Sequence, residues 1–290
     1  MIDYHVHLWP HQPNLSLQAS VDQIAQYCQH AAGLGVTELA ITEHTSRFIQ
    51  FDGVLRGWWE ADPSPALRAA TIKYWDEEMG GDLDQYAQTV QAARAAGLPV
   101  VAGLEVDYFP GQMEKTASLL EGYPFDVLLG SVHWIGAWLV NALDWAVSER
   151  EWASRGVERV WADYTRCVEE LAGTGTVDVL AHPDLVKITG HRPDVPDEFH
   201  DRIAEAARAS GLAAELNSAG WRRPAAAEAY PAPPLLQRFR ELGVPVTTAS
   251  DGHEIDDVSW RIADLVTMAR AAGYTEVTAF RGRRPAPQPL

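Results

Sequence analysis

The 290-residue chain is 47% hydrophobic and 22% charged, which allows one large domain with a substantial core. Its net charge of −17 argues against nucleic acid as the main partner and obliges any anionic substrate to find local cations. Cys28 and Cys167 are too few and too distant for a disulfide framework, and no leader-like or membrane-length apolar run is visible, so the reading is a soluble cytoplasmic protein with no membrane partner.

In the first seven residues Ile2, Tyr4 and Val6 alternate with Asp3, His5 and His7, the period-two pattern of a strand. His5 and His7 then project from one face and form half of a metal site. A lone His-x-His also arises by chance, so the rest of the chain must supply the other half. A polar loop from Leu8 to Leu15 carries His11. Ser16 is read as the cap of a helix from Leu17 to Ala32, which Gly33 and Gly35 end. The strand Val36–Thr42 runs into Glu43-His44.

Residues 45–80, with Trp58-Trp59, Trp75, Pro63, Pro65 and Gly80-Gly81, read as an irregular lid or binding loop. A helix over 83–96 follows, then a buried strand, Leu98–Val106, containing Glu105 and followed by Asp107. The alternation continues with a helix over 112–120 and the strand Phe125–Val132, which ends at His133. A helix over 157–171 precedes the strand Val177–Ala181, which ends at His182. A helix over 197–209 precedes Ala213–Leu216, ending at Asn217. A helix over 234–242 precedes Pro245–Ala249, ending at Asp251-Gly252-His253. A last helix over 258–271 leads to a Pro- and Arg-rich tail, 281–290, expected as a surface strap or a disordered end. Seven or eight strands alternating with helices imply an α/β fold, a parallel barrel in a single domain spanning 1–290.

His5, His7, His44, His133, His182 and His253 all fall at C-terminal strand ends, with Glu105 and Asp251 among them. In a β/α barrel that rim is where active sites are assembled. The donors exceed the needs of one ion and imply two or three divalent metals sharing a carboxylate; the lack of cysteine among them favours zinc, manganese or iron. His30, His191 and His200 fall elsewhere and are read as surface residues. No phosphate-binding glycine loop and no Gly-x-Ser-x-Gly elbow competes.

Asp3-x-His5-x-His7, Thr42-Glu43-His44, Gly103-Leu104-Glu105-Val106-Asp107-Tyr108, Ser131-Val132-His133, Ala181-His182 and Ser250-Asp251-Gly252-His253 occur in this order. Together they resemble the PHP (polymerase and histidinol phosphatase) superfamily, within it the histidinol-phosphatase branch, over residues 2–270. The resemblance implies a distorted (β/α)7 barrel. It assigns His5, His7, Glu105 and Asp251 to a first ion, with Glu105 bridging to a second held also by His133 and His182. His11, His44 and His253 would hold a third, although the loop before His11 is shorter than in many relatives.

Leu216-Asn217-Ser218-Ala219-Gly220-Trp221-Arg222 resembles the branch's phosphate-binding stretch, giving Arg222, Arg223, Lys187 and Asn217 as expected substrate contacts. The implied chemistry is hydrolysis of a small phosphomonoester, L-histidinol phosphate first, by a metal-bridging hydroxide, with Glu105, Asp251 and Arg222 as catalytic residues. Glu43 is expected to orient a ligand histidine, and Glu60, Asp62 or Asp107 to receive the substrate amine. Alternatives are another phosphoesterase of the same superfamily, an amidohydrolase-type hydrolase, and a metal-binding module without turnover.

Overall fold

The structure, a computed structural model, describes residues 1–143 and 146–290. Seven parallel strands form the central sheet in the order β1 (Ile2–Val6), β2 (Glu38–Ile41), β3 (Val100–Asp107), β4 (Val127–Ser131), β7 (Val179–Leu180), β8 (Ala213–Asn217) and β9 (Val246–Ala249). A short antiparallel pair, β5 (Trp134–Ile135) and β6 (Trp138–Leu139), follows β4. The sheet curls until its edges meet. Thr248 Oγ1 donates to the Ile2 carbonyl at 2.6 Å, Asp251 N to the His5 carbonyl at 2.8 Å, and His7 N to the Gly252 carbonyl at 2.9 Å. The result is the nearly closed seven-stranded barrel expected.

A register shift in β1 between Asp3 and Val6 departs from plain alternation. It lets Ile2 and Tyr4 join the apolar floor of the barrel while His5 and His7 both reach the pocket above it. That floor comprises Ile2, Tyr4, Ala40, Val101, Val127, Leu129, Val179 and Ala213. Inward positions of the same strands turn polar higher up, as in Val101-x-Gly103-x-Glu105 and Ala213-x-Glu215-x-Asn217.

The helices cover the outside. They are α1 (Val21–Gly33), α2 (Ile49–Leu55), α3 (Pro65–Glu78), α4 (Leu83–Ala95), α5 (Met113–Leu120), α6 (Ala146–Arg155), α7 (Val157–Ala172), α8 (Asp197–Ser210), α9 (Pro233–Glu241) and α10 (Ile262–Ala271). In α7, Val160, Trp161, Tyr164, Val168 and Leu171 recur at three- and four-residue steps and are buried against the sheet. Burying each such large side chain contributes about 1.5–3 kcal/mol. Gly130 permits the close approach of this helix to the sheet: a Cβ there would stand 3.0 Å from Leu171 Cδ2 and 2.7 Å from Val177 Cγ2.

Several expectations are corrected. The cap of α1 is Ser20, whose hydroxyl accepts from Gln23 N, so the helix starts later than Ser16 implied. Residues 45–80 are mostly helical rather than irregular. Phe48, Phe51, Leu55 and Trp59 form a buried stripe at helical spacing. Pro65, read as part of the irregular stretch, stands at the start of α3, behind the capping Ser64. The tail is an ordered hairpin of β10 (Glu276–Arg281) and β11 (Arg284–Pro289). Leu290 N donates to the Thr275 carbonyl at 3.0 Å, so Pro285, Pro287 and Pro289 fall at the alternate positions that donate no ladder bond. Val277, Ala279 and Phe280 pack onto the barrel floor and seal that end.

Candidate metal centre

Each barrel strand delivers its donors as it reaches the open rim. Glu105, near the end of β3, is fully buried and stands at the hub. Its Oε2 lies 3.3 Å from His5 Nε2, 3.6 Å from His7 Nε2 and 2.7 Å from His44 Nδ1. Its Oε1 lies 2.9 Å from His182 Nε2 and 3.5 Å from His133 Nε2. Asp251 Oδ1 closes the other side, 3.5 Å from His7 Nε2, 3.8 Å from His5 Nε2 and 3.7 Å from His253 Nδ1. The His253 ring stacks on His7 at 4.0 Å, and the His11 ring lies 4.7 Å from His253 and 5.1 Å from His44. The structure therefore gathers all nine expected ligand residues at one mouth, from positions 5 to 253.

Backbone strain accompanies the convergence. His182 (φ 25°) and Asp251 (φ 53°) both lie in the left-handed region, which costs of order 1–3 kcal/mol each in residues that carry a Cβ. Their peptide groups are held in place: His182 N donates to Glu215 Oε2 at 2.8 Å, and Asp251 N to the His5 carbonyl.

An outer ring of carboxylates fixes the imidazoles. Glu215 lies 2.8 Å from His5 Nδ1, and Asp107 2.6 Å from His133 Nδ1, so each of those nitrogens is placed to carry the proton and leave Nε2 with a lone pair. Glu43 faces His7 Nδ1 at 3.5 Å without a hydrogen bond between them, and accepts from the Leu8 and Trp9 peptides. Asp3 accepts from the peptide and hydroxyl of both Ser250 and Ser259 and ties the Asp251 turn to β1.

The electrostatics follow from this packing. Burial opposes a proton on His5 and His133, but the facing carboxylates prevail; His5 rises well above its ordinary value and His133 to about 9. Burial pushes His44 and His253 well below theirs, helped by neighbouring imidazoles. For Glu105 burial is outweighed by His44, His5 and His133, and the carboxyl falls well below its usual range. Burial of Glu43 is outweighed by Arg47 and His7, to about 2.

Divalent ions suit this donor set. His5 Nε2, His7 Nε2, His44 Nε2, His253 Nε2 and Glu105 Oε2 are buried without a hydrogen-bond partner, a costly state that coordination would relieve. Among the described residues, the trios His7–His44–His253, His5–His7–Asp251, His5–Glu105–His182 and His44–Asp107–His133 each bring their ligand atoms within 4.8 Å of one another.

The expected substrate contacts fare unevenly. Arg222 lies at the rim, where Nη2 donates to the carbonyls of Ser250 and Asp251 at 3.0 and 2.9 Å while Nη1 is buried without a partner. Arg223 is exposed beside it. Lys187 and Asn217 are corrected. The buried Lys187 ammonium is committed to Asp184 at 2.8 Å, the Ala229 carbonyl at 2.9 Å and Glu228 at 3.2 Å. Asn217 donates to Glu215 and accepts from Ala219 N, which holds the turn rather than a ligand.

Asp107 gives Oδ1 to His133 and keeps a buried Oδ2 without a partner, whereas both oxygens of Asp62 accept, from Ser64 N and Ala137 N. Glu60 is exposed. Of the histidines set aside, His200 is buried beside Trp161, not on the surface. Glu215 was missed by sequence reasoning, although a carboxylate between Ala213-Ala214 and Leu216 in a buried strand was a usable signal. Arg47 and Glu78 were missed because their segment read as loop.

Fold and rim together define a β/α-barrel protein with a buried multi-donor centre suited to divalent metals. The chain belongs to the PHP domain family, whose profile matches residues 3–219. It is 32% identical over 266 residues to a Deinococcus radiodurans protein named probable histidinol-phosphatase, covering 90% of this chain and 92% of that one. The fold also matches the crystal structure of histidinol phosphate phosphatase from Lactococcus lactis, complexed with zinc, L-histidinol and phosphate. That match has a TM-score of 0.72 and 20% identity, and covers 98% of both chains.

Proposed function

We propose that the chain is a metal-dependent phosphatase that hydrolyses L-histidinol phosphate to L-histidinol and phosphate, a step of histidine biosynthesis in the cytoplasm. One observation carries the reading: a single buried carboxylate, Glu105, has five imidazole nitrogens within 3.6 Å. Such a carboxylate is placed to bridge ions. His5, His7 and Asp251 would share one ion with it, and His133 and His182 another. His11, His44 and His253 would serve a third. Zinc, manganese or iron in this centre would supply Lewis acidity and an activated water.

The protein's own groups supply position and charge. Asp107 and Glu215 keep the imidazoles of His133 and His5 in the tautomer that presents Nε2 to the pocket. The Arg222 guanidinium is held by two carbonyls and has the buried Nη1 to spare, so a small opening at the rim would let it meet a non-bridging phosphate oxygen. That cation answers the difficulty an anionic substrate meets in a chain of net charge −17. In the reaction a P–O bond to water forms, the ester P–O bond breaks, and the leaving alkoxide takes a proton. The substrate preference is supported by the name of the Deinococcus relative and by the ligands of the Lactococcus structure.

An amidohydrolase-type centre would place a modified lysine at the bridge. Here the hub is Glu105, and buried Lys187 is paired elsewhere with Asp184. The test is a panel of phosphomonoesters and one phosphodiester ranked by kcat/KM on metal-loaded protein. Histidinol phosphate is expected first. A phosphodiester or another monoester leading the ranking by tenfold or more would contradict the assignment.

A further inference from the structure

We propose that the buried Arg47–Glu78 pair is a positioning device that delivers His11 to the rim and so sets how tightly the third ion is held. The inference rests on the reading of His11, His44 and His253 as that ion's ligands.

Arg47 is 1% exposed and its Nε is buried without a partner, so its two terminal nitrogens carry all the compensation for leaving water. Its guanidinium is spent on one short stretch of chain and its supports. Nη1 donates to the Trp9 carbonyl at 2.8 Å and to Glu43 Oε2 at 3.1 Å. Nη2 donates to the Pro10 carbonyl at 3.2 Å and to Glu78 Oε2 at 3.2 Å, and lies 3.0 Å from His11 Nδ1.

The loop leading to His11 has no regular secondary structure, so its carbonyls need partners from outside. The planar fork supplies them at the two residues before His11. The same arginine's backbone carbonyl accepts from Gly80 N at 3.1 Å and Gly81 N at 2.9 Å. That ties down the chain just after α3, whose last residue is Glu78.

Glu78 Oε2 stands 3.2 Å from His11 Nδ1. With the proton on Nδ1 the imidazole donates to Glu78 and Nε2 keeps its lone pair for a metal. The two Nη2 hydrogens of Arg47 then go to Glu78 and the Pro10 carbonyl, and its 3.0 Å approach to Nδ1 is a contact rather than a hydrogen bond. Arg47 balances the charge of Glu78 and of Glu43, which faces His7. One guanidinium thus supports the outer carboxylates of two ligand histidines. Lysine could not reproduce this, because a single ammonium cannot span carbonyls and carboxylates disposed around a planar fork. A plain loop strut would act differently: its loss would lower the melting temperature or loosen every ion together.

The experiment counts zinc by elemental analysis during graded chelator competition on zinc-loaded protein. It compares the wild type with Arg47→Lys, Glu78→Gln, His11→Ala and the double variant His11→Ala/Arg47→Lys. The expected result is that one ion, the same in every single variant, is loosened about 10–100-fold while the other ions keep wild-type affinity. The double variant should lose nothing beyond His11→Ala. If Arg47→Lys fails to fold, Glu78→Gln carries the same comparison.

Wild-type retention in Arg47→Lys and Glu78→Gln, with loss in His11→Ala, overturns the proposal and leaves the ligand reading standing. Wild-type retention in His11→Ala removes His11 from the ligand set, and the proposal with it. Loss of all ions together from Glu78→Gln, with a lower melting temperature, shows a general strut and overturns it as well.

Discussion

The two ends of the barrel are built from the same strands on opposite terms. At the rim His5, His7, His44, His253 and Glu105 keep buried polar atoms without partners, and His182 and Asp251 sit in strained backbone. At the floor the polar groups are paired: Tyr4 Oη donates to Glu38 at 2.5 Å and accepts from Phe280 N at 3.1 Å. Nearby Arg281 pairs with Glu38, and Arg283 with Asp178 at 2.8 Å. Apolar side chains of β10 fill what remains. One end holds polar free energy in reserve for ligands, and the other supplies the stability that makes this tolerable.

Substitutions at the two ends should therefore separate function from stability. Glu105→Ala is expected to lower kcat/KM by about 10³-fold or more, roughly 4 kcal/mol of transition-state stabilisation, with little loss of melting temperature in metal-free protein. Phe280→Ala should do the reverse, costing about 3–5 kcal/mol in denaturant unfolding while kcat per folded molecule and bound metal stay at wild-type levels. An equal effect of both variants on both readouts would erase the distinction between the ends.

Arg222→Ala stands between them. Its loss should raise KM for phosphomonoesters about tenfold and leave metal content unchanged, measured by steady-state kinetics beside elemental analysis.

The pH dependence sharpens the rim's side of the contrast. His133 is raised to about 9 in the folded, metal-free protein because Glu105 and Asp107 outweigh the burial that would lower it. A raised pKa contributes stability that is fully present below about 6.5 and is lost as pH rises through about 9. A metal must displace that proton, so metal affinity should rise about tenfold per pH unit across this window. The thermal shift produced by zinc should grow from pH 6.5 to 9; a shift independent of pH would mean that no imidazole proton is released.

The rim was more legible in the sequence than its supports. His5, His7, His44, His133, His182 and His253 stand where a strand pattern stops, and that position alone carries them to one end of a barrel. Arg47 and Glu78 lie in a stretch whose aromatic residues and prolines hid helices, so their burial was invisible without packing. Lys187 and Arg222 look alike in sequence, as cations close behind strand ends. Only the carboxylates around one and the carbonyls beside the other separate a committed ammonium from a guanidinium with a nitrogen to spare. The tail, expected as a surface strap or a disordered end, pairs as a hairpin because an edge strand accepts alternate prolines where no ladder donor is needed.

The central claim is that Glu105 joins neighbouring metal ions. Electron paramagnetic resonance of manganese-loaded protein tests it most directly, with metal content counted on the same sample. Wild-type protein should hold at least two ions per chain and give an exchange-coupled spectrum that Glu105→Ala abolishes. Magnetically isolated manganese at that stoichiometry in the wild type, or a coupled spectrum surviving in Glu105→Ala, would contradict the account.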